Sequence, residues 1–175
     1  MIIVFTGNGK GKTTASLGQM VRVMGRGKTA LMIQFIKGPW TSGEDEFAGR
    51  FGVPKEKFEV RKMGLGFVGI LGDKLPIENH KGAARHALDV FIEEKRSGKW
   101  HLIILDEVNV AVSLGLVTAQ EVLRAVGDYP EEKILIMSGR GAPDEFIEKA
   151  DLATEMREIK HPFAKGEKAK FTVEF

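Results

Sequence analysis

A glycine-rich segment directly after a short apolar run constrains this chain more than any other feature. Residues 2–5 are Ile-Ile-Val-Phe, and residues 6–14 are Thr-Gly-Asn-Gly-Lys-Gly-Lys-Thr-Thr, followed by a helical pattern. Glycines let the backbone turn its N–H groups toward phosphate oxygens, and the N-terminus of the following helix adds partial positive charge. The strand–loop–helix order predicts a phosphate-binding loop rather than a glycine-rich turn without a ligand.

We expect this loop to bind a magnesium–nucleoside triphosphate, ATP in particular, with Lys12 on the terminal phosphates and the Thr13 hydroxyl on Mg²⁺. The candidate ATP-binding residues are Gly7, Asn8, Gly9, Lys10, Gly11, Lys12, Thr13 and Thr14. The common motif, Gly-x-x-x-x-Gly-Lys-Thr, has glycine where this chain has Thr6. The loop is therefore one residue tighter than in ordinary ATPases, and the triphosphate need not bind in the usual register.

Short apolar runs alternate with longer helical patterns along the chain. Their near-continuous valine, isoleucine and leucine content is typical of strands buried on both faces of a parallel sheet. We predict strands at 2–5, 30–35, 58–62, 102–105 and 134–137, helices at 12–24, 78–96, 118–126 and 144–150, and a candidate edge strand at 171–175. This order predicts a single α/β domain over residues 1–175, with a mostly parallel sheet covered by helices on both faces.

Composition narrows the classes of function. The 26 lysines and arginines nearly balance the 24 aspartates and glutamates, so charge gives no reason to expect a nucleic-acid or anionic-membrane partner. The absence of cysteine excludes disulfides, thiolate metal sites and cysteine nucleophiles. We find no signal peptide and no apolar stretch of transmembrane length, which makes a cytoplasmic enzyme or switch protein the expectation.

Ligands of parallel α/β sheets bind at the carboxyl ends of the strands, so the residues after each strand are the next candidates. Residues 102–105 lead into Asp106 and Glu107, a position where carboxylates complete the magnesium site of P-loop proteins. The alternative is a helix cap, and spacing does not decide which carboxylate contacts the metal. Arg140, after the 134–137 strand, is either a fixed positive charge near the phosphates or an ordinary surface arginine.

Two loops indicate a second substrate. Residues 35–44 include Lys37, Trp40 and Glu44, and residues 64–72 are apolar yet contain four glycines. Apolar loops beside a triphosphate favour a large, mostly nonpolar substrate, unless they pack on their own domain. The histidines at 80, 86, 101 and 161 lack metal-binding spacing, and we expect them to be solvated or hydrogen-bonded.

These segments together resemble the ATP:corrinoid adenosyltransferases of the cobalamin-synthesis type. The matching segments occur in family order at 6–14, 34–38 with Trp40, 43–44, 64–67, 105–107, 138–141, 150–152 and 160–163. The resemblance implies a RecA-like P-loop fold and a homodimer. It also implies that the Co(I) centre of a reduced corrinoid attacks the 5′ carbon of ATP and expels tripolyphosphate, with a flavoprotein as the source of the low-potential electron.

The resemblance further implies roles for individual residues. Lys12 and the backbone of residues 7–11 hold the triphosphate, in reversed sense compared with ordinary P-loop ATPases. Thr13 and Glu107 bind Mg²⁺ (or Mn²⁺), Asp106 supports the metal from behind these ligands, and Arg140 neutralises the leaving group. The implied catalytic residues are Lys12, Thr13, Glu107 and Arg140, and the implied corrinoid-binding residues are Lys37, Trp40, Gly66 and Phe67.

One segment departs from the family pattern, which continues Gly-Phe-Thr-Trp where this chain has Gly66-Phe67-Val68-Gly69. In the family, aromatic side chains under the corrin ring displace the lower axial ligand of cobalt. We therefore expect either another side chain to close that face or a different or incomplete corrinoid to be the substrate. Two other functions stay open: a P-loop phosphotransferase or hydrolase that releases the γ-phosphate, and a nucleotide-dependent switch or binding module.

Overall fold

The computed structural model describes residues 1–70, 72–162, 166, 170 and 172–173. Its centre is a six-stranded sheet in which every paired strand is parallel to its neighbour. The strands are β1 (Ile2–Thr6), β2 (Ala30–Gln34), β3 (Phe58–Lys62), β4 (Leu102–Asp106), β5 (Ile134–Ser138) and β6 (Leu152–Glu155). The helices are α1 (Lys12–Gly25), α2 (Gly43–Arg50), α3 (Ile77–Ser97), α4 (Val108–Ser113), α5 (Ala119–Val126) and α6 (Asp144–Lys149). The predicted α/β fold is confirmed.

The strand order, β3-β2-β4-β5-β1-β6, decides which loops meet at the carboxyl edge of the sheet. Strand β5 separates β1, which leads into the glycine-rich loop, from β4, which ends in Asp106. The register places Phe5 beside Ser138 and Gln34 beside Asp106. The loops after β1, β2, β4 and β5 are therefore neighbours in space, although their residues are far apart in sequence.

Alternate strand residues face two different layers of helices. Ile2 and Val4 belong to a core cluster packed by α3, α4, α5 and α6, whereas Ile3 belongs to a second cluster packed by α1 and α2. Because both faces are covered, all five residues of β2 and of β4 are buried. This burial explains their continuous apolar sequence. Among the described residues, no helix combines the length and apolar character needed to cross a bilayer.

The sequence missed three elements: α2, α4 and β6. Each is short, and β6 is an edge strand whose four residues are all exposed, so it carries no apolar pattern. It pairs with β1 from Ile3–Leu152 to Thr6–Glu155. Of the candidate edge strand at 171–175, Thr172 and Val173 lie in a turn, and the other three residues lie outside the described part.

Candidate nucleotide-binding site

The glycine-rich loop lines a cavity of about 570 Å³ at the carboxyl edge of the sheet, which we call the nucleotide cavity. The loop begins at Gly7, with φ 92°, and ends at Gly11, with φ 119°, both backbone conformations that favour glycine. Helix α1 begins directly afterwards at Lys12, so the positive end of its dipole lies at the cavity. The candidate site residues that line the cavity are Gly9, Lys10, Gly11, Lys12, Thr13, Thr14, Lys37, Glu107 and Arg140.

The two remaining loop residues, Gly7 and Asn8, lie on the other side of the loop. They line a separate cleft of about 500 Å³, together with Thr6 and residues from the loop after β5 and from β6. The predicted ATP-binding residues are therefore divided between two sides of the loop. Of the eight predicted ATP-binding residues, residues 9–14 line the same cavity as Glu107.

The loop is tight because it packs against the chain that follows β6. Gly9 N donates to Met156 O at 2.6 Å, and Met156 N donates to Thr6 O at 2.8 Å. A β-carbon would lie 2.5 Å from Met156 O if added at Gly7, and 2.7 Å from the same atom if added at Gly9. Both distances are shorter than contact distances allow, so this close backbone approach requires glycine at both positions.

The Lys12 ammonium lies inside the loop. Its Nζ donates to Gly7 O and to Gly9 O, at 2.7 Å each, and the residue is only 7% exposed. Burial lowers the pKa of Lys12, the nearby Glu107 carboxylate opposes this effect, and the positive charge of Arg140 adds to it. Two loop carbonyls thus hold the ammonium inside the loop.

Asp106 is fully buried and accepts hydrogen bonds on both carboxylate oxygens. Its Oδ1 accepts from Thr13 Oγ1 at 3.0 Å and from Ser138 Oγ at 2.7 Å, and its Oδ2 accepts from Gln34 Nε2 at 3.2 Å. Asp106 does not line the cavity, whereas Glu107 does. Exposure to the cavity therefore distinguishes the two carboxylates, whereas their spacing in the sequence did not.

Glu107 presents its carboxylate from an unusual backbone conformation, with φ 62° at the start of α4. Burial, with a smaller contribution from the Asp106 charge, raises the pKa of Glu107 to about 7. Glu107 and the Thr13 hydroxyl are oxygen donors in one cavity, and Mg²⁺ in phosphate sites is bound by one or two protein oxygens plus the phosphates. The residues present fit such an ion, and in the described chain no three acidic or histidine side chains form a metal cluster by themselves.

Thr6, which replaces the first glycine of the common motif, has a structural contact of its own. Its Oγ1 accepts a hydrogen bond from Ala142 N at 3.1 Å. The same loop is held by Asn109, whose Nδ2 donates to Gly139 O at 3.1 Å. These bonds fix the loop after β5 that carries the exposed Arg140 at the cavity wall.

Lys37 lies in the nucleotide cavity, paired with Glu44. Glu44 Oε1 accepts from Lys37 Nζ and, at 3.3 Å, from Gln34 Nε2. Through Gln34, this pair is linked to Asp106. The sequence assigns Glu44 to a loop, whereas it lies in the first turn of α2. No local pattern indicates that it pairs with Lys37.

The other three predicted corrinoid residues form a separate cluster. The rings of Trp40 and Phe67 have centroids 5.3 Å apart, and the two residues are 59% and 44% exposed. A β-carbon at Gly66 would lie 2.7 Å from the Trp40 ring, and one at Gly38 would lie 2.9 Å from Gly66 Cα. The loops after β2 and β3 therefore contact each other through glycines and expose an aromatic pair.

Sequence reasoning also missed several residues of the cavity wall. Leu17, Gly43, Glu44, His161, Thr172 and Val173 line it. His161 and the two residues near the C-terminus lie more than a hundred residues from the loop they face. No local signal identifies such contacts, because only the folded chain brings them together.

The fold and this site define a P-loop nucleotide-binding protein. Comparison with known proteins gives the family: residues 1–175 match the family model described as ATP:corrinoid adenosyltransferase BtuR/CobO/CobP. The chain is 35% identical over 178 residues to the Corrinoid adenosyltransferase of Escherichia coli (strain K12). This match covers 100% of the chain and 85% of that protein. It is 33% identical over 178 residues, with the same coverage, to Corrinoid adenosyltransferase CobA of Salmonella typhimurium (strain LT2). The protein belongs to the ATP:corrinoid adenosyltransferase family, a family of transferase enzymes.

Proposed function

We propose that this protein transfers the 5′-deoxyadenosyl group of ATP to the Co(I) centre of a reduced corrinoid and releases tripolyphosphate, in adenosylcobalamin synthesis or salvage. The observation that carries this proposal is the position of Trp40. Trp40 lies in the loop whose flanking residues, Lys37 and Gly43, line the nucleotide cavity, and it pairs with Phe67 on the surface. A triphosphate site with an exposed aromatic pair next to it suits a flat, largely apolar second substrate.

The reaction needs charge stabilisation more than proton transfer. The cobalt supplies the electron pair that forms the Co–C5′ bond, and the electrons of the broken C5′–O bond leave with tripolyphosphate, so no proton is removed. Lys12, Arg140 and the backbone N–H groups of Lys10 and Gly11 would stabilise the negative charge that grows on the leaving group.

Thr13 and Glu107 would hold Mg²⁺ (or Mn²⁺) together with the triphosphate. The metal, when bound, supplies Lewis-acid stabilisation of the phosphate oxygens. Asp106 accepts a hydrogen bond from the Thr13 hydroxyl and so turns the lone pairs of that oxygen away from the buried sheet edge. Glu107 must be ionised to act as a ligand.

Phe67, Gly66 and Trp40 are proposed to contact the corrinoid, with Lys37 at the boundary between the two substrates. Phe67 is the aromatic residue of the family motif that this chain keeps, and Val68 and Gly69 stand where the family has threonine and tryptophan. Phe67 would then act without a second aromatic from its own loop. This arrangement favours a corrinoid that lacks a strongly held lower ligand.

Analysis of the products tests the proposal. The assay combines the protein, ATP, Mg²⁺ and chemically reduced cobalamin without oxygen, with absorbance reporting the alkylated cobalt and phosphorus NMR identifying the phosphate product. We expect tripolyphosphate in amounts equal to the adenosylated corrinoid. ADP with inorganic phosphate would show a phosphotransferase or hydrolase instead, and unchanged ATP would indicate a binding module.

Four further features of this proposal follow from the family resemblance and the composition. We propose that residues 1–175 act as a single catalytic domain, that the active form is a homodimer, that a flavoprotein supplies the electron and that the enzyme is cytoplasmic. Sedimentation equilibrium checks the homodimer, since a monomeric mass at assay concentrations would exclude it. Reduction of bound Co(II) by a purified flavoprotein and its reductase checks the electron source.

A further inference from the structure

Asp73 makes hydrogen bonds that hold together the exposed loop after β3. We call residues 66–76 the Phe67 loop; Leu71 within it lies outside the described residues. Asp73 Oδ2 accepts from Gly69 N at 2.8 Å and Oδ1 accepts from Leu75 N at 3.0 Å. His80 Nε2 lies 3.0 Å from Asp73 Oδ2. One carboxylate thus connects both arms of the loop to a histidine.

The side chains of this polar pair are shielded from solvent although the loop around them is exposed. The side chains of His80 and Asp73 are 2% and 8% exposed. By contrast, Phe67 is 44% exposed, Ile70 59% and Leu75 44%. An apolar loop outside helices and strands is normally mobile in water. Asp73 restrains this loop, because its carboxylate is the hydrogen-bond acceptor for the N–H groups of Gly69 and Leu75.

His80 connects this loop to the rigid part of the molecule. It lies in the first turn of α3, which packs on the sheet through the fully buried Ala84, Ala87 and Phe91. On its other side, the Phe67 loop is held by Gly66, which packs on Trp40, and by Val68, which contacts the core. Phe67 therefore lies within the apolar anchor, between Gly66 and Val68, and the polar and directional Asp73–His80 anchor begins two residues later at Gly69.

We propose that Asp73 and His80 are positioning residues for the second substrate. They hold the Phe67 loop in the conformation that presents Phe67 and Ile70 as an apolar surface, and they thereby set the affinity for the corrinoid without affecting that for ATP. Neither residue lines the nucleotide cavity. The inference rests on the proposed function, since it assigns the corrinoid to the surface that this loop forms.

The test compares Asp73→Ala and His80→Ala with conservative variants of the same positions. We expect Asp73→Ala to raise the KM for the corrinoid roughly tenfold, as expected from the loss of hydrogen bonds to a charged group. The dissociation constant for ATP, measured by calorimetry, should stay within about twofold of wild type. Asp73→Asn and His80→Gln should recover part of the loss, because an amide keeps one acceptor oxygen or one N–H donor.

The matched control is Glu78→Ala, since Glu78 is an exposed carboxylate in the same first turn of α3 and pairs only with Lys81 among the contacts described for it. Amide hydrogen exchange gives a readout that needs no activity: Asp73→Ala should speed exchange at Gly69 and Leu75 and leave the strands unchanged.

An unchanged corrinoid KM in a variant with fast exchange at Gly69 would overturn the proposal. Equal losses for ATP and corrinoid would also overturn it, by showing a general loss of fold. Wild-type protein that forms no tripolyphosphate would instead overturn the proposed function, and this result is known before any variant is tested.

Discussion

Thr13 Oγ1 donates a hydrogen bond to Asp106 Oδ1 at 3.0 Å, although the two residues are 93 positions apart in the sequence. Strand β5 lies between the strands that lead to them, and its last residue, Ser138, donates to the same oxygen. With its further hydrogen bond from Gln34, this buried carboxylate joins the ends of β2, β4 and β5 to the start of α1. The Thr13 hydroxyl is oriented by this contact before any nucleotide binds.

Replacement of Asp106 should weaken metal binding although Asp106 does not line the cavity. Asp106→Asn leaves one oxygen to serve three donors, so the Thr13 hydroxyl loses its fixed orientation. We expect the Mg²⁺ concentration for half-maximal activity to rise by roughly tenfold or more, as for other partners of metal ligands. The measurement is a Mg²⁺ titration at fixed ATP, with the exposed Asp128→Asn as control. An unchanged midpoint would exclude Thr13 as a ligand oriented by Asp106.

Lys12 should contribute to ATP affinity as well as to catalysis. Lys12→Ala removes a buried ammonium whose hydrogen bonds a phosphate would take over, an interaction worth about 1.5–3 kcal/mol, or about 10- to 150-fold in affinity. Calorimetric titration with ATP and Mg²⁺ measures this loss, and Lys149→Ala, an exposed lysine on α6, is the control. Wild-type affinity in the Lys12 variant would remove this residue from the site.

Glu107 should destabilise the protein when metal and nucleotide are absent. Its pKa is raised from 4.5 to about 7, so the folded state binds more protons than the unfolded state between these values and loses stability as the pH rises through them. Glu107→Gln should therefore exceed wild type in free energy of unfolding by roughly 1–3 kcal/mol at pH 8 and by almost nothing near pH 4.5. Urea unfolding with a chelator at several pH values checks this, with the exposed Glu145→Gln as control. A difference independent of pH would contradict the assignment.

Replacement by alanine should have opposite effects at Gly9, in the glycine-rich loop, and at Gly18, in α1. Gly9→Ala places a β-carbon 2.7 Å from Met156 O, so it should displace the loop and reduce ATP binding. Gly18→Ala, within α1, meets nothing within 4 Å and should instead stabilise the protein, by about 0.5–1 kcal/mol. Thermal unfolding and ATP titration of both variants check the pair. Normal ATP binding by Gly9→Ala would show that contact with the chain after β6 does not shape the loop.

Phe67 should matter more for cobalamin than for cobinamide. Cobalamin carries its own lower base, which must be displaced, whereas cobinamide lacks that base. Phe67→Ala should therefore lower kcat/KM for cobalamin by a larger factor, and wild type should prefer cobinamide at limiting reductant. Phe51→Ala, an aromatic 72% exposed just after α2, is the matched control. A ratio of the two kcat/KM values that Phe67→Ala leaves unchanged would mean that this loop does not close the corrinoid site.

The tryptophan that the family motif has at position 69 cannot simply be restored. Gly69 has φ 68°, where a side chain costs roughly 1–2 kcal/mol even though the surrounding space is open. Ile70 is the better position for an added aromatic ring, because it is 59% exposed and is not among the residues with positive φ. Leu71, which follows Ile70, is outside the described residues.

The sequence by itself determined five of the six strands and predicted the residues of the candidate phosphate site. The signals are local: buried strands show as apolar runs, and strand, glycine-rich loop and Lys12-Thr13 follow one another within fourteen residues. Asp106 and Glu107 were found for the same reason, because they directly follow a buried strand. Local signals failed for β6, because its residues are all exposed and carry no pattern of burial.

Only the tertiary structure decided which of these residues face the cavity and which lie buried behind it. Burial and hydrogen bonds from three directions separate Asp106 from Glu107, and the chain after β6 sets the tightness of the loop at Gly9. Lys37 lies with Glu44 in the nucleotide cavity, and Asp73 holds its loop to His80. Each of these facts depends on which chain segments are neighbours in space. That arrangement follows from strand order and packing over the whole molecule, and no short stretch of sequence encodes it.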